Sequence, residues 1–422
     1  MVSLVRDGAI SPLELVDAHL GQIAHLNPEL NAFVQVFDEA AREEARLLSR
    51  GEWRGSLHGI PLTVKDSFNL AGHVTRSGSP SVTAAAEDDA PAVARLRAAG
   101  AIILGRTNTS ELLADYECSN PVTGRTNNPW DLGRTPGGSS GGEAAAIAAC
   151  CSPGGIGSDG GGSIRIPAHF CGIAGLKSTP GRISSRGHFP PLGYPTGLVT
   201  TVGPMARSVG DLRLLFSVLA GHDDEDIFSV PAPVREPRLS GGRILVWEQF
   251  YSVPVHEDVA QTLSRAAAML AAQGFTVDSF QPQGLERAPN VWAFLFGQWG
   301  AAPAKFTGEQ ILANLEERIR MRASLLRQMG DALAIAMPVC AIPAFCHGES
   351  RWPVGGRDIG TFQMAMPALL ANVFGLPAVT LPIARSGGLP IGIQLLGRPF
   401  EDELLLEVAV RLEEARGVWT GP

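Results

Sequence analysis

With 422 residues, 45% hydrophobic content and a formal net charge of −8, the chain can bury a sizeable core and has no basic block of the kind that grips nucleic acid. Its six cysteines (Cys118, Cys150, Cys151, Cys171, Cys340 and Cys346) form no Cys-x-x-Cys pair and no cluster with histidine, which argues against a zinc site or a disulfide framework and for a reduced, cytoplasmic setting. No run of about eighteen residues is free of Pro, Gly and charge, and Arg6, Asp7, Glu14 and Asp17 interrupt the first twenty residues, so neither a membrane span nor a signal-peptide core is expected.

Ser11-Pro12-Leu13-Glu14 reads as a capping box with proline at the first helical position. Leu13, Val16, Leu20 and Ile23 then recur at helical spacing. A second helix is expected through Ala40 to Ser49, stopping near Gly51. From Ile60 to Lys65 the pattern alternates, with Ile60, Leu62 and Val64 on one face of a strand and Thr63 and Lys65 on the other. A lysine facing inward at a strand end loses water, which lowers its pKa and makes the neutral amine available as a base. The bland alternative is a solvated strand-end charge. Pro91 to Ala99 reads as a helix ending at Gly100, followed by a strand from Ala101 to Leu104.

The most informative stretch runs from Gly137 to Ser178. Gly137-Gly138-Ser139-Ser140-Gly141-Gly142-Glu143 precedes an apolar run, Ala144 to Cys151, composed like a buried helix. Gly157-Ser158-Asp159-Gly160-Gly161-Gly162-Ser163-Ile164-Arg165-Ile166-Pro167-Ala168 follows, and Cys171-Gly172-Ile173-Ala174-Gly175-Leu176-Lys177-Ser178 closes the stretch. Gly/Ser runs are commonly linkers, but apolar segments surround these and no charged tract marks a domain boundary. Glycines let backbone N–H groups converge on one point, and a serine among such donors can attack a carbonyl while they hold the oxyanion. Two simpler motif matches fail on context. Gly155 to Gly160 fits a dinucleotide pattern, but Ser152-Pro153 precedes it instead of a hydrophobic strand. Ser140 fits a nucleophile elbow, but Arg134-Thr135-Pro136 occupies the place of the required strand.

Beyond this stretch, Val209 to Ala220 reads as a helix capped by Ser208, Arg243 to Trp247 as a strand, Asp258 to Ala272 as a helix ending at Gly274, and Phe275 to Phe280 as a further strand. A helix is expected from Glu309 to Met329, a buried strand from Ala332 to Pro338, a mobile loop near the pocket from Gly348 to Gly360, and a terminal helix from Glu403 to Arg411. Strand–helix alternation of this kind indicates α/β architecture. No repeat or linker appears, so one domain over 1–422 is expected, with its signature core at about 59–215.

The two serine-bearing turns, with Ser-Ile-Arg-x-Pro-Ala and Cys-Gly-x-x-Gly-Leu-Lys, resemble the signature of the amidase signature family, and Gly59-Ile60-Pro61-Leu62-Thr63-Val64-Lys65-Asp66 resembles that family's lysine strand. The resemblance runs from about Leu13 to Glu413. It implies a single large α/β domain whose central mixed β-sheet is covered by helices on both faces. It also implies a Ser–cis-Ser–Lys triad, in which Ser163 matches the nucleophile, Ser139 the bridging serine 24 residues earlier, and Lys65 the base. The N–H groups of Gly160, Gly161, Gly162 and Ser163 would form the oxyanion site. The family places substrate contacts near Thr107 to Tyr116, making Leu113 and Tyr116 pocket candidates, although either also suits plain core. Gly375 to Pro382 and Pro390 to Leu395 resemble the family's closing strand pair, from which Gln394 is a further pocket candidate, with a hydrogen-bonded core role as its alternative. Family members carry a longer helical insertion near 281–330, and this chain is short there.

The chemistry so implied needs no metal or cofactor. It is cleavage of a small or aryl carboxamide through an acyl-enzyme, with esters and carbamates open to the same steps. Because the base must be neutral, activity is expected to rise toward alkaline pH, and a flat profile between about pH 6 and 10 would count against Lys65. His169, six residues past Ser163, is expected to pack rather than react. A Ser-x-x-Lys arrangement is excluded, since none of the three lysines (Lys65, Lys177 and Lys305) has a serine three residues before it. The competing readings are a glutaminase subunit of an amidotransferase complex, an α/β-hydrolase esterase using Ser140, and a nucleotide-binding module. The expected partner is a small-molecule amide, with no nucleic acid and no membrane, and the sequence leaves a homodimer open.

Overall fold

The computed structural model describes residues 1–237, 239–297 and 306–422. Its central feature is one mixed sheet of eleven strands. In chain order these are β1 (Phe33–Val36), β2 (Pro61–Lys65), β3 (Ile102–Thr107), β4 (Gly154–Asp159), β5 (Ala174–Lys177) and β6 (Thr201–Ala206). There follow β7 (Gly242–Val246), β8 (Phe275–Ser279), β9 (Ala334–Pro338), β10 (Ala378–Ser386) and β11 (Leu389–Gly397). Across the sheet they lie in the order β1-β3-β2-β4-β6-β5-β10-β11-β9-β7-β8. Strands β3, β2 and β4 are parallel, as are β9, β7 and β8, and the other neighbours pair antiparallel.

Alternate residues of a strand point to opposite faces, and the core divides accordingly. Ala334 and Ala336 of β9, with Ile393 and Leu395 of β11, join one apolar cluster with the helices Val209–Leu219, Glu257–Ala272 and Asp402–Arg416. Ile335 and Met337 of β9 and Leu396 of β11 join another with the helices Ala288–Phe296, Gly308–Gln328 and Thr361–Val373. Helices thus cover both faces of the sheet, and the α/β architecture expected from the sequence is what the chain adopts.

Local signals work where they are chemically explicit. Ser11 caps the helix Pro12–Leu30 by accepting from the Glu14 N–H, while the Glu14 side chain accepts from the Ser11 N–H. Ser208 accepts from the Asp211 N–H in the same manner.

Two expectations need correction, and one helix was not anticipated. The 348–360 segment is an ordered hairpin, Arg351–Val354 paired with Arg357–Gly360, rather than a mobile loop. Trp352, Val354 and Ile359 are buried, and Gly355-Gly356, both at positive φ, supply the two-residue turn such a hairpin favours. The helix Thr361–Val373 gave no periodic signal because it is apolar almost all round and contains Pro367. Finally, the glycine-rich run Gly154–Asp159 is a central strand, not part of a turn. A Cβ at Gly155 would overlap Thr63 O and Glu143 Oε1, so close approach of neighbouring elements requires glycine there. Residues 298–305, within the short 281–330 segment, and Lys305 with them, lie outside the described residues.

The parallel trio gathers polar groups at one edge of the sheet. Lys65, Thr107 and Asp159 are the last residues of β2, β3 and β4, so three polar side chains meet at the carboxyl ends of parallel strands, where α/β sheets place ligand crevices. Leu395 is fully buried within the cluster that holds this sheet together. Leu395→Ala is expected to cost about 2–5 kcal/mol, read as a lower urea midpoint of unfolding.

Candidate active site

Lys65 is completely buried, and its Nζ donates to Ser139 Oγ at 2.7 Å and to Ser158 Oγ at 3.2 Å. Burial lowers its pKa from 10.5 to about 7, even though Cys118, Asp159 and Glu143 pull the other way. Ser139 follows a cis peptide bond from Gly138, and the Ser139 carbonyl accepts from Thr109 Oγ1 at 2.7 Å. A Cβ at Gly138 would overlap Asp115 O and crowd Tyr116, so the serine turn packs flush against the 115–116 backbone.

Ser163 lies just beyond β4, before the helix Arg165–Cys171. The Ser140 N–H donates to the Ser163 carbonyl at 3.1 Å, tying the two serine-bearing turns together. Ser163 is part-exposed, whereas Ser139 and Lys65 are fully buried behind it. Among the described residues no hydrogen bond joins the Ser163 and Ser139 hydroxyls.

Asp159 fixes the intervening turn. Its Oδ1 accepts from the Gly162 N–H at 2.8 Å, and its Oδ2 accepts from the Ile164 N–H at 3.2 Å. Arg165 clamps the same carboxylate with Nε and Nη2, both at 2.9 Å. Burial alone would raise the Asp159 pKa, but the Arg165 guanidinium, helped by Asn372, holds it well below the usual carboxylate range. Arg165 is anchored in turn to Ala368 O, Gln394 Oε1 and Asn372 Oδ1.

Two candidates are corrected by this network. The Gly162 N–H is taken by Asp159, which removes it from the oxyanion set and leaves Gly160, Gly161 and Ser163. Gln394 is fully buried, accepts from Arg165 and donates to Pro338 O and Pro367 O, so it braces the arginine and does not line the cavity.

The cavity in front of Ser163 measures about 50 Å³ and is lined by Leu113, Tyr116, Gly161, Trp292 and Phe296. Leu113 and Tyr116 are therefore at the pocket, and Tyr116 Oη donates to Gly161 O at 2.7 Å. Trp292 and Phe296, stacked at 4.7 Å, come from a helix the sequence reading missed, and Trp292 Nε1 donates to Gly160 O at 2.6 Å. The bulky aromatics four residues apart in Val291-Trp292-Ala293-Phe294-Leu295-Phe296 were the available signal. Larger cavities open elsewhere, one of about 390 Å³ beside Trp130 and Trp419, but they gather neither Ser163 nor Lys65.

The alternatives fare poorly in geometry. Ser140 is fully buried, and its hydroxyl reaches only Ser158 O, at 3.4 Å. The dinucleotide-like pattern lies along β4 rather than between a strand and a helix. His169 is buried with its Nε2 3.1 Å from Ile342 O and its Nδ1 accepting from the Gly392 N–H at 2.8 Å, and burial lowers its pKa to about 4. Among the described residues no group of histidine, cysteine and acidic side chains is arranged to hold a metal ion, and no helix is long and apolar enough to cross a membrane.

Comparison with known proteins agrees with this architecture. A model of the Amidase family matches residues 14–309 and 290–406. Indoleacetamide hydrolase of Bradyrhizobium diazoefficiens is 32% identical, over 98% of this chain and 85% of that protein. A glutamyl-tRNA(Gln) amidotransferase subunit of Syntrophobacter fumaroxidans is also 32% identical, over 96% of this chain and 94% of that one. Among solved structures, 6-aminohexanoate cyclic dimer hydrolase complexed with substrate superposes with a TM-score of 0.87 at 30% identity, covering 99% of this chain and 96% of its own. The chain belongs to the Amidase family, the amidase signature hydrolases of carbon–nitrogen bonds.

Proposed function

We propose that this protein is a serine amidohydrolase that cleaves a small or aryl carboxamide through an acyl-enzyme. The observation that carries the reading is the 2.7 Å hydrogen bond from a fully buried lysine, Lys65, to Ser139. In the proposed cycle Ser163 Oγ attacks the amide carbonyl carbon, and its proton passes to Ser139 while the Ser139 proton passes to neutral Lys65. A hydroxyl suits the bridging position because it donates and accepts at once. The N–H groups of Gly160, Gly161 and Ser163 hold the oxyanion, each such donor contributing about 3–4 kcal/mol. Lys65 returns the proton through the serine bridge to the leaving nitrogen as the C–N bond breaks. Water then attacks the acyl-enzyme, with the same lysine as base, and releases the acid and Ser163. Esters and carbamates present the same carbonyl and fall within the same cycle.

Leu113, Trp292 and Phe296 give the cavity an apolar wall that suits a hydrocarbon or aryl acyl group, with Asp115 and Tyr116 the polar side chains beside Ser163. This ranks a free-standing amidase above a glutaminase-type subunit, the activity suggested by the amidotransferase relative. Copurification of a partner protein would reverse that ranking. The cysteines, all unbonded, suit a cytoplasmic enzyme.

Two outcomes are expected. Phenylmethylsulfonyl fluoride should modify Ser163, as mapped by peptide mass spectrometry, and Lys65→Ala should slow that labelling by about 10²- to 10⁴-fold. Adduct on Ser140, or none on Ser163, would overturn the assignment. In the wild type the rate should climb about tenfold per pH unit below the Lys65 limb near 7 and level off above it, since only the neutral amine accepts a proton. A rate unchanged from about pH 5 to 9 would remove Lys65 from the role.

A further inference from the structure

Glu143 is a fully buried carboxylate with no part in the chemistry above. It stands in the first turn of the helix Gly141–Ala148, four residues after Ser139. Its Oε1 accepts from Thr63 Oγ1 at 2.5 Å and its Oε2 from Thr107 Oγ1 at 2.7 Å. Thr63 lies two residues before Lys65 on the same face of β2, and Thr107 is the residue paired with Lys65 on β3. One turn of chain therefore delivers both the serine that Lys65 bonds and the carboxylate that holds the two threonines bracketing that lysine.

The other groups around Lys65 are neutral, already paired or turned away. Burial pushes the Cys118 thiol up to about 11, so it keeps its proton. Asp159 also favours the ammonium form of Lys65, but both its oxygens are on Arg165, whose positive charge opposes that pull. Burial lowers His188 to about 3, leaving it uncharged. Arg106 on β3 is turned to Asp66 at 2.7 Å. On the helix Pro12–Leu30, Glu14 and Asp17 are exposed, and His19 lies against Cys150 O. Glu143 receives two hydroxyl hydrogen bonds and, among the described residues, no cation within ion-pair distance.

We propose that Glu143 is a positioning residue for Lys65, its carboxylate supplying the countercharge that lets a buried lysine take the serine proton and hold it until the leaving nitrogen accepts it. This rests on Lys65 being the base. A negative charge nearby in a weakly polarisable interior favours the ammonium form. Burial pushes Glu143 itself up to about 7, against the pull of Thr63, Thr107 and Lys65, so acid and amine titrate over the same range.

The test is the rate of Ser163 labelling by phenylmethylsulfonyl fluoride from pH 5 to 9, each profile scaled to its own plateau so that the folded fraction does not move the limb. Glu143→Gln removes the countercharge, so the acid limb should fall by about one pH unit. Thr107→Val strips a donor from the carboxylate and makes it a poorer anion, so its limb should fall by less. It carries the test alone if Glu143→Gln fails to fold. Limbs that coincide with the wild type in every variant that folds overturn the inference and leave the base assignment standing. A Lys65→Ala protein labelled at the wild-type rate overturns the base assignment and this inference with it.

Discussion

The burial of a single lysine amine sets the terms for the rest of the site. Lys65 has no contact with solvent, and the drop of its pKa from 10.5 to about 7 corresponds to about 5 kcal/mol of interaction favouring the neutral form. A flexible surface lysine would stay charged and could take no proton. Holding the amine dry requires a surrounding shell of fixed polar groups, and the parallel strands β2, β3 and β4 supply it by ending together. Ser139 and Ser158 offer hydroxyl oxygens at hydrogen-bond distance, and Glu143 anchors the threonines on either side.

A second buried charge pair holds the loop in front of the lysine. Asp159 and Arg165 meet through two parallel hydrogen bonds in a setting without water. Removing one partner of such a pair typically costs about 3–5 kcal/mol, because the other is left charged and unmatched. The role of this pair is geometric. By gripping the N–H groups of Gly162 and Ile164, Asp159 fixes the turn that presents Ser163. Gln394, Asn372 and Ala368 brace the arginine from the opposite side, so the turn is tied to β11 and to the helix Thr361–Val373.

The cavity wall obeys a different logic. Trp292 and Phe296 reach the site from a helix outside the signature, and the Trp292 indole N–H bonds the Gly160 carbonyl. The cavity wall is thereby fastened to the turn that carries Gly160 and Gly161. A cavity of about 50 Å³ has room for a few waters. Relatives that share about a third of this sequence carry different names, an indoleacetamide hydrolase and an amidotransferase subunit, so the fold by itself does not set the substrate.

Elements whose signals are local could be read from the residues alone. The Ser11 capping box, the Ser208 cap, the alternation through Ile60 to Lys65 and the order of strands and helices depend on near neighbours, and so they were legible. The motif spacing also carried the candidate residues Lys65, Ser139 and Ser163 and the family. Folding then selected which of them could meet and what else would join them. Glu143 carried no signal of its own in the sequence, because only the pairing of β2 and β3 brings Thr63 and Thr107 against it. Gly157 to Asp159 read as the start of a turn, whereas the glycines of this strand answer to close neighbours on other elements, not to backbone freedom. The Gly162 N–H was assigned to the oxyanion and is bound by Asp159, and Gln394 took the core role left open beside the pocket one, since hydrogen-bond partners separated by 229 residues and a side chain folding back on its own turn leave no periodic trace. Pairing across the sheet is a long-range event, and the burial that tunes Lys65 exists only once that pairing is complete.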